Sequence, residues 1–178
     1  MKILVTGNPS YEGLAKGIAQ AMPEYNIDFI GRHNGWIMND YDTIADKAVE
    51  YDVFVNSLYI PSEGQTILLD KVYNKFEKGH IINISTTSVY WNNGSEKYLR
   101  EKGSLETYSK KLSNKSSWEN SPIKVSCIAY GPLDSESQLD KPGKKISLKE
   151  AGSIVKFLVD QPAGINTHYI CLDPIQKD

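Results

Sequence analysis

The chain is predicted to fold as an α/β protein, with a doubly wound parallel sheet between two layers of helices. Two observations predict this class. Short apolar runs rich in β-branched residues alternate with helical patterns along the chain, and the first run ends in a glycine-bearing turn. Near-continuous apolar strands separated by helices are typical of a parallel sheet that is covered on both faces. Right-handed crossovers then place helices on both sides of the sheet.

Six strands and five helices are predicted in strict alternation. The strands are Ile3–Val5, Ile27–Ile30, Val53–Asn56, Ile81–Ile84, Val125–Ala129 and Tyr169–Leu172. The helices are Leu14–Met22, Thr43–Glu50, Glu63–Phe76, Tyr98–Trp118 and Leu148–Val159. Pro23 ends the first helix, and Ser147 with Glu150 three residues later forms a capping-box pattern before the last one.

The composition bounds the class of protein. At 178 residues the chain is predicted to form a single domain over residues 1–178. Its net charge is −2, with 20 basic and 22 acidic residues, which argues against nucleic-acid or anionic-membrane partners. We find neither a signal-peptide pattern nor an apolar run long enough to span a membrane, so a cytoplasmic location is expected.

Cysteines and histidines suggest no metal or disulfide. Cys127 and Cys171 each lie in an apolar run that is predicted to be a strand, so two buried, reduced thiols are expected. The three histidines are isolated and lack metal-ligand spacing: His33, His80 and His168. No metal site is therefore proposed from the sequence.

The first turn is the most informative segment for function. Strand Ile3–Val5 ends in Thr6-Gly7, a loop over Asn8–Glu12 follows, and a helical pattern begins at Gly13. A strand, a glycine turn and a helix N-terminus form the geometry that binds a dinucleotide pyrophosphate through backbone N–H groups and the helix dipole. Gly7 and Gly13 are six residues apart, which departs from G-x-G-x-x-G. A tight turn in an α/β protein of another kind is the alternative.

This turn resembles the short-chain dehydrogenase/reductase family, whose fold is a Rossmann-like three-layer sandwich. Thr6-Gly7, a five-residue variable loop and Gly13-Leu14-Ala15-Lys16-Gly17-Ile18-Ala19 are most similar to the glycine loop of enoyl-acyl-carrier-protein reductases. The resemblance implies a nicotinamide dinucleotide as cofactor. It also implies that the turn binds this cofactor through Gly7, Asn8, Ser10, Gly13 and Leu14.

Two further turns resemble cofactor-binding turns of the family. Val53–Ser57 is similar to its fourth strand and the following turn, which implies cofactor contacts for Asn56 and Ser57. Tyr130-Gly131-Pro132-Leu133-Asp134-Ser135 is similar to the turn beside the nicotinamide carboxamide, which implies contacts for Gly131 and Leu133. The polar segment Leu133–Lys145 after this strand is a candidate lid, shorter than the lid usual in the family.

The catalytic residues implied by the resemblance are Thr86, with Ser85 beside it, Tyr98 and Lys102. Ile81–Thr86 is similar to the strand that ends at the family's catalytic hydroxyl, and Tyr98 follows Thr86 by twelve residues. A spacing of four residues puts Tyr98 and Lys102 on one helix face. The tyrosine would donate or accept the proton. The lysine ammonium would lower the pKa of that phenol and hold the nicotinamide ribose.

Other interpretations of these residues stay open. Tyr98 could instead cap the core while Lys102 is a solvated surface charge. Tyr108 with Lys115 fits a wider Tyr-x6-Lys spacing and ranks second. The asparagine that completes the family's catalytic set has no clear counterpart, because Gln65 and Asn74 both match poorly.

The end of the second strand bears on the choice of cofactor. It carries Gly31-Arg32-His33-Asn34, with no acid to bind the ribose 2′-OH of NAD, so NADP is favoured over NAD. The alternatives are that Arg32 stacks on adenine or that it simply faces solvent. Asn39-Asp40, after the family's third strand, matches an adenine-contacting Asp, which implies a cofactor contact for Asp40. The helix that the family places between its second and third strands is expected to be missing.

The predicted function is therefore that of an NAD(P)-dependent oxidoreductase that transfers hydride to or from a small carbonyl or alcohol. One alternative is an enzyme resembling nucleotide-sugar epimerases and dehydratases, because Ser85–Tyr90 (STTSVY) is similar to their catalytic strand end. The other is a non-catalytic dinucleotide-binding regulatory protein. The family resemblance also implies a homodimer or homotetramer. The sequence does not identify the substrate.

Overall fold

The computed structural model describes residues 1–175, which form one parallel six-stranded sheet in the order β2-β1-β3-β4-β5-β6. The strands are β1 (Lys2–Thr6), β2 (Asn26–Ile30), β3 (Val53–Asn56), β4 (Gly79–Thr86), β5 (Ile123–Tyr130) and β6 (Tyr169–Leu172). The helices are α1 (Leu14–Ala21), α2 (Tyr41–Ala48), α3 (Gly64–Lys75), α4 (Ser88–Trp91), α5 (Glu96–Trp118) and α6 (Leu148–Val159). Short 3₁₀ turns occupy Arg32–Asn34 and Glu136–Gln138.

The predicted α/β fold with a doubly wound sheet is confirmed. Every predicted strand and helix is present, and β3, β6 and α6 have the predicted bounds. The capping box at Ser147 and Glu150 also forms, because the Ser147 side chain accepts from the Glu150 N–H while the Glu150 side chain accepts from Ser147. α4 was missing from the prediction, since its four residues are too few to show a helical period.

Helices cover the two faces of the sheet as two separate apolar cores. Alternate residues of a strand point to opposite faces. Leu4 of β1 accordingly packs in the core beneath α2, α3 and α5, whereas its neighbours Ile3 and Val5 pack beneath α1 and α6. All three side chains are fully buried. The central strands of the sheet therefore form a layer that is buried on both faces.

Close backbone contact joins α1 to α6. A Cβ added at Gly17 of α1 would lie 2.0 Å from the Leu148 carbonyl oxygen, and one added at Gly152 of α6 would lie 2.1 Å from the Gly17 carbonyl oxygen. No side chain fits in such a gap. The two glycines therefore set how closely these helices pack.

The connection between β2 and β3 corrects one prediction. No strand lies in residues 35–40, and Asp40 is the N-cap of α2, its carboxylate accepting from the Thr43 N–H at 3.2 Å. Asn39-Asp40 therefore follow no third strand of the family type. Dinucleotide-binding sheets have the strand order 3-2-1-4-5-6, in which a further edge strand lies beyond the second. Within residues 1–175 this edge strand and its crossover are absent, whereas the sequence predicted the loss of a helix alone.

The thiol prediction is half wrong. Both cysteines are free, but only Cys127 in central β5 is buried, whereas Cys171 is exposed. Cys171 lies on β6, the last strand of the sheet, where one side has no neighbouring strand. Among residues 1–175, no helix is long and apolar enough to cross a membrane, and no group of three or more His, Cys, Asp or Glu side chains is arranged to hold a metal ion.

Candidate functional site

A cleft of about 710 Å³ opens where β3, β4 and β5 end and α1 begins. Its position follows from the topology, because β1 leads outward to β2 whereas the next connection returns to β3 on the other side, and ligands bind at such a reversal. The volume lies within the range of small-molecule and cofactor sites. Predicted site residues that line the cleft are Leu14, Ser57, Ser85, Thr86, Tyr98, Lys102, Gly131 and Leu133.

Thr86 and Tyr98 meet in this cleft. Thr86 is the last residue of β4, and its Oγ1 donates to Ser88 Oγ at 3.0 Å and accepts from the Ser88 N–H at 3.2 Å. Tyr98 lies in the first turn of α5, which the Ser95 side chain caps by accepting from the Tyr98 N–H at 3.3 Å. Burial raises the pKa of the Tyr98 phenol, and its side-chain hydrogen bond with Thr86 acts in the opposite direction.

Lys102 lies one helical turn after Tyr98 and is almost fully buried, with 4% exposure. This burial rules out the solvated surface charge considered above. The Lys102 Nζ donates to Gln65 Oε1 at 2.7 Å and to the Ile84 carbonyl at 2.9 Å. Burial lowers the pKa of Lys102 to about 8, and nearby Cys127 and Glu106 act to raise it.

Lys102 is not among the groups that shift the pKa of the Tyr98 phenol. Burial is the main influence on the pKa of Tyr98 and raises it. The Lys102 Nζ lies 5.9 Å from the centroid of the Tyr98 ring, with its hydrogen bonds directed to Gln65 and Ile84. The raised pKa favours the protonated form of the Tyr98 phenol, which lies beside Thr86.

Ser85 is engaged away from this pair. Because neighbouring residues in a strand point to opposite faces, its side chain does not accompany that of Thr86. Ser85 Oγ donates to Glu106 Oε1 at 2.7 Å, and the buried Glu106 carboxylate also accepts from the hydroxyls of Tyr90 and Tyr169. Of the two hydroxyls, that of Thr86 is thus the one beside Tyr98.

The glycine turn has the form that an anion site requires. Gly7 has a φ of +152°, a conformation that favours glycine, and a Cβ there would lie 2.9 Å from Ala15 Cβ on α1. A Cβ at Gly13, the N-cap of α1, would meet only Tyr11, at 3.5 Å. The first N–H groups of a helix have no partner within the helix, so this open space is suited to a phosphate.

The other two predicted turns are each braced by a hydrogen bond that a backbone N–H donates. The Ser57 N–H donates to Thr6 Oγ1 at 2.9 Å, which ties the end of β3 to the end of β1. The Gly131 N–H donates to the Leu172 carbonyl at 2.7 Å. A Cβ at Gly131 would lie 2.4 Å from Asp173 Oδ1, so the segment after β6 packs directly on this turn.

Seven predicted site residues are not among those lining the cleft. Gly7 and Gly13 form the turn beside it, and the Ser10 N–H donates to Asn8 Oδ1 at 2.9 Å within the intervening loop. Asn56 is fully buried and donates to the Gln65 carbonyl and to Asn83 Oδ1. The remaining two lie near the end of β2, where Arg32 is exposed and Asp40 caps α2.

Two residues of the site were not assigned to it by sequence reasoning. Gln65, which matched poorly in sequence, lies in the first turn of α3 and holds Lys102 directly, whereas Asn74 is exposed near the end of that helix. Tyr59 lines the cleft with its ring edge-on to Tyr98, at a centroid distance of 5.0 Å. No local pattern in sequence signals either contact, because each depends on how the β3–α3 connection packs against α5.

The second-ranked pair is not at the cleft. The Tyr108 hydroxyl donates to Asp70 of α3, and the Lys115 Nζ lies over the ring of Tyr73 at 5.8 Å from its centroid. Neither residue lines the cleft. Tyr98 and Lys102 are therefore the tyrosine–lysine pair that the fold places where the strands end.

Comparison with known proteins identifies the fold. No protein-family model matches the sequence, and no curated protein matches it. Among solved structures, a short-chain dehydrogenase from Burkholderia cenocepacia in complex with NADP superposes with a TM-score of 0.74 at 14% identity, covering 96% of this chain and 86% of that one. A 3-ketoacyl-(acyl-carrier-protein) reductase from Brucella melitensis complexed with NADH gives 0.74 at 16% identity, covering 97% and 96%.

A third similar structure is serine dehydrogenase from Escherichia coli, with a TM-score of 0.71 at 16% identity, covering 97% of both chains. At these identities the similarity establishes the fold. The chain has the Rossmann-like α/β fold that these dehydrogenases and reductases share.

Proposed function

We propose that the protein is an NAD(P)-dependent oxidoreductase of the short-chain dehydrogenase/reductase type, acting on a small carbonyl compound or alcohol. One observation carries the proposal. Thr86, Tyr98 and Lys102 come from two different elements and line one cleft, together with Leu14 from the glycine turn. The similar folds that bind NADP or NADH add to the support.

Each residue has a definite part in this chemistry. The Thr86 hydroxyl orients the substrate oxygen by a hydrogen bond. Tyr98 gives the proton to that oxygen during reduction, and because burial raises the pKa of the phenol, the proton to be transferred is on Tyr98 before the reaction. Lys102, which stays largely protonated at neutral pH because its pKa is about 8, supplies positive charge beneath the site. A bound nicotinamide dinucleotide supplies the hydride.

The residues around the cleft fit such a cofactor. The open space over Gly13 and the start of α1 would take the pyrophosphate, and the turns at Ser57 and Gly131 would flank the nicotinamide half. NADP is favoured over NAD because the exposed Arg32 follows β2 where NAD-binding chains carry an acid. Asp40 would contribute to adenine binding while its carboxylate also caps α2.

Cofactor binding is tested by thermal unfolding with saturating NADPH or NADH. A ligand that binds the folded state raises the melting temperature, and we expect NADPH to do so for the wild type. Gly13→Val should fold, since the backbone of Gly13 is extended, but should lose the shift because the side chain fills the pyrophosphate space. Gly164→Ala, at a loop glycine with open space around it, should keep the shift.

The outcomes separate this function from its alternatives. Binding without turnover of any carbonyl or alcohol would point to a non-catalytic regulatory protein, and turnover of a nucleotide sugar would point to the epimerase-like chemistry. No shift with either cofactor would contradict dinucleotide binding altogether.

The proposal includes one cofactor-binding domain spanning the whole chain and assembly as a homodimer or homotetramer. It also includes a cytoplasmic location, to which two free cysteines are suited.

A further inference from the structure

Tyr59 occupies an unusual place at the cleft. It lies in the connection between β3 and α3, and it is 37% exposed. Its ring meets that of Tyr98 edge-on, with 5.0 Å between centroids and 72° between planes. Such edge-to-face contacts between aromatic rings favour one relative orientation.

A buried carboxylate anchors Tyr59. Its hydroxyl donates to Glu101 Oε2 at 2.8 Å, and Glu101 Oε1 accepts from the Ser62 N–H at 3.1 Å. Glu101 lies on α5 immediately before Lys102 and is only 5% exposed. Ser62 and Glu63 both have a φ of 62°, a rare conformation for non-glycine residues that the carboxylate helps to hold. One α5 side chain thus fixes both the loop and the ring that it carries.

The same ring lies against the lysine. The Lys102 Nζ is 5.8 Å from the Tyr59 centroid and 5.9 Å from the Tyr98 centroid, so two aromatic rings flank the ammonium. The charged and titratable groups that act on it from the packed elements are Glu106 of α5 and Cys127 of β5. The amide of Gln65 and the Ile84 carbonyl accept its hydrogen bonds.

We propose that Tyr59 is a positioning residue: anchored by Glu101, its ring fixes the orientation of Tyr98 and shields the Lys102 ammonium from water. This inference rests on the proposed function for its effect on turnover. The shielding does not depend on that function, because it concerns a contact of the protein alone. The ring, rather than the hydroxyl, makes both contacts, and the hydroxyl only holds it in place.

The test compares three variants. Tyr59→Leu removes the ring, Tyr59→Phe keeps the ring without the anchor, and Tyr108→Leu is the matched control. Tyr108 also donates its hydroxyl to a carboxylate, that of Asp70, and so ties α5 to α3, but it does not line the cleft. The midpoint of Lys102 titration is measured by NMR on protein labelled at lysine Cε, with the resonance assigned by its loss in Lys102→Arg.

The titration separates positioning from general destabilisation. Because burial is the main cause of the lowered pKa of Lys102, admitting water should raise the midpoint in Tyr59→Leu by at least about one pH unit. Tyr59→Phe and Tyr108→Leu should leave it unchanged. A Tyr59→Leu midpoint equal to that of the wild type would overturn the proposal, as would an equal rise in Tyr108→Leu.

Steady-state kinetics test the effect on Tyr98. We expect Tyr59→Leu to lower kcat about tenfold with a change in the KM for NADPH below about threefold, because a misplaced proton donor slows chemistry rather than binding. Tyr59→Phe should restore most of the rate, and the same kcat in Tyr59→Leu as in the wild type would contradict the positioning role. If Tyr59→Leu fails to fold, Tyr59→Met, which also removes the ring but keeps a longer apolar side chain, takes its place, and a wild-type kcat in that variant would overturn the proposal.

Failure of the proposed function gives a different result. A wild type that turns over no carbonyl or alcohol, while its Lys102 midpoint still moves in Tyr59→Leu, would refute the oxidoreductase and leave the shielding intact. If the wild type turns over a carbonyl or alcohol but the Lys102 titration midpoint is the same in Tyr59→Leu, only the role of Tyr59 is refuted.

Discussion

The Lys102 Nζ donates a 2.7 Å hydrogen bond to Gln65 Oε1, and Gln65 Nε2 donates in turn to the Asn56 carbonyl at 3.0 Å. A single buried amide therefore connects the ammonium on α5 to the end of β3. Its oxygen faces a cation and its nitrogen faces a carbonyl, so both ends of the amide are satisfied. The position of Lys102 thus depends on α3 as much as on its own helix.

Gln65→Leu should destabilise the protein by about 1–3 kcal/mol, because the substitution removes one of the two acceptors of a buried ammonium. The free energy of unfolding, measured in urea, checks this. Thr66→Val is the control on the same helix. Thr66 Oγ1 is buried and has no hydrogen-bond partner within the described part of the chain, so its removal should leave stability unchanged or slightly higher. Equal effects of the two substitutions would show that the Gln65 bond contributes nothing.

Lys102 should make stability rise with pH in a defined window. Its folded-state pKa of about 8 lies below the ordinary 10.5, so between these values the unfolded chain binds more protons than the folded one. The penalty for burying the charge is complete below pH 8 and is relieved as pH rises. The unfolding free energies of wild type and Lys102→Met are compared from about pH 7 to about pH 10. The wild-type value minus the variant value should rise with pH, by at most about 1.4 kcal/mol per pH unit. A constant difference across this range would contradict the lowered pKa.

Gly17→Ala should lower the free energy of unfolding by about 1–3 kcal/mol. The added methyl group would overlap the Leu148 carbonyl and force α1 away from α6. Gly103→Ala on α5 provides the comparison, because its nearest neighbour is Val89 Cγ1 at 3.9 Å. That substitution should stabilise by about 0.5–1 kcal/mol through the better helix propensity of alanine. Thermal unfolding of both variants checks the pair, and similar melting temperatures would argue against the tight α1–α6 contact.

Arg32→Ala should weaken NADPH binding more than NADH binding, by about tenfold or more, because a guanidinium pairs with the 2′-phosphate that only NADPH carries. Dissociation constants from fluorescence titration measure both. Arg100→Ala replaces the chain's other arginine, exposed on α5, and should change neither constant. Equal losses for the two cofactors in Arg32→Ala would remove the argument for NADP.

Sequence patterns were sufficient for the sheet and for part of the site. Apolar runs such as Val53–Asn56 are short and dry on both faces, which is the signature of a central parallel strand, and the spacing of Tyr98 from Lys102 follows from helix geometry. The glycine turn was predictable because strand, glycine and helix are contiguous in the chain.

The rest depended on contacts between distant segments. Gln65 and Tyr59 reach the site only through the packing of the β3–α3 connection on α5, and their partners Lys102 and Glu101 are more than 35 residues away in sequence. The exposure of Cys171 depends on β6 being an edge strand, and the absence of a strand before Asp40 depends on how the chain leaves β2. Local periodicity carries none of this information.

The most direct test of the central claim is NADPH-dependent turnover of a panel of small carbonyl compounds by wild type and Tyr98→Phe, with NADPH affinity measured in parallel. We expect turnover by the wild type, and in Tyr98→Phe a kcat lowered by about 10²-fold or more with nearly unchanged NADPH affinity, because only the proton donor is lost. Wild-type rates in Tyr98→Phe on any substrate would contradict the assignment of Tyr98 and the site built around it.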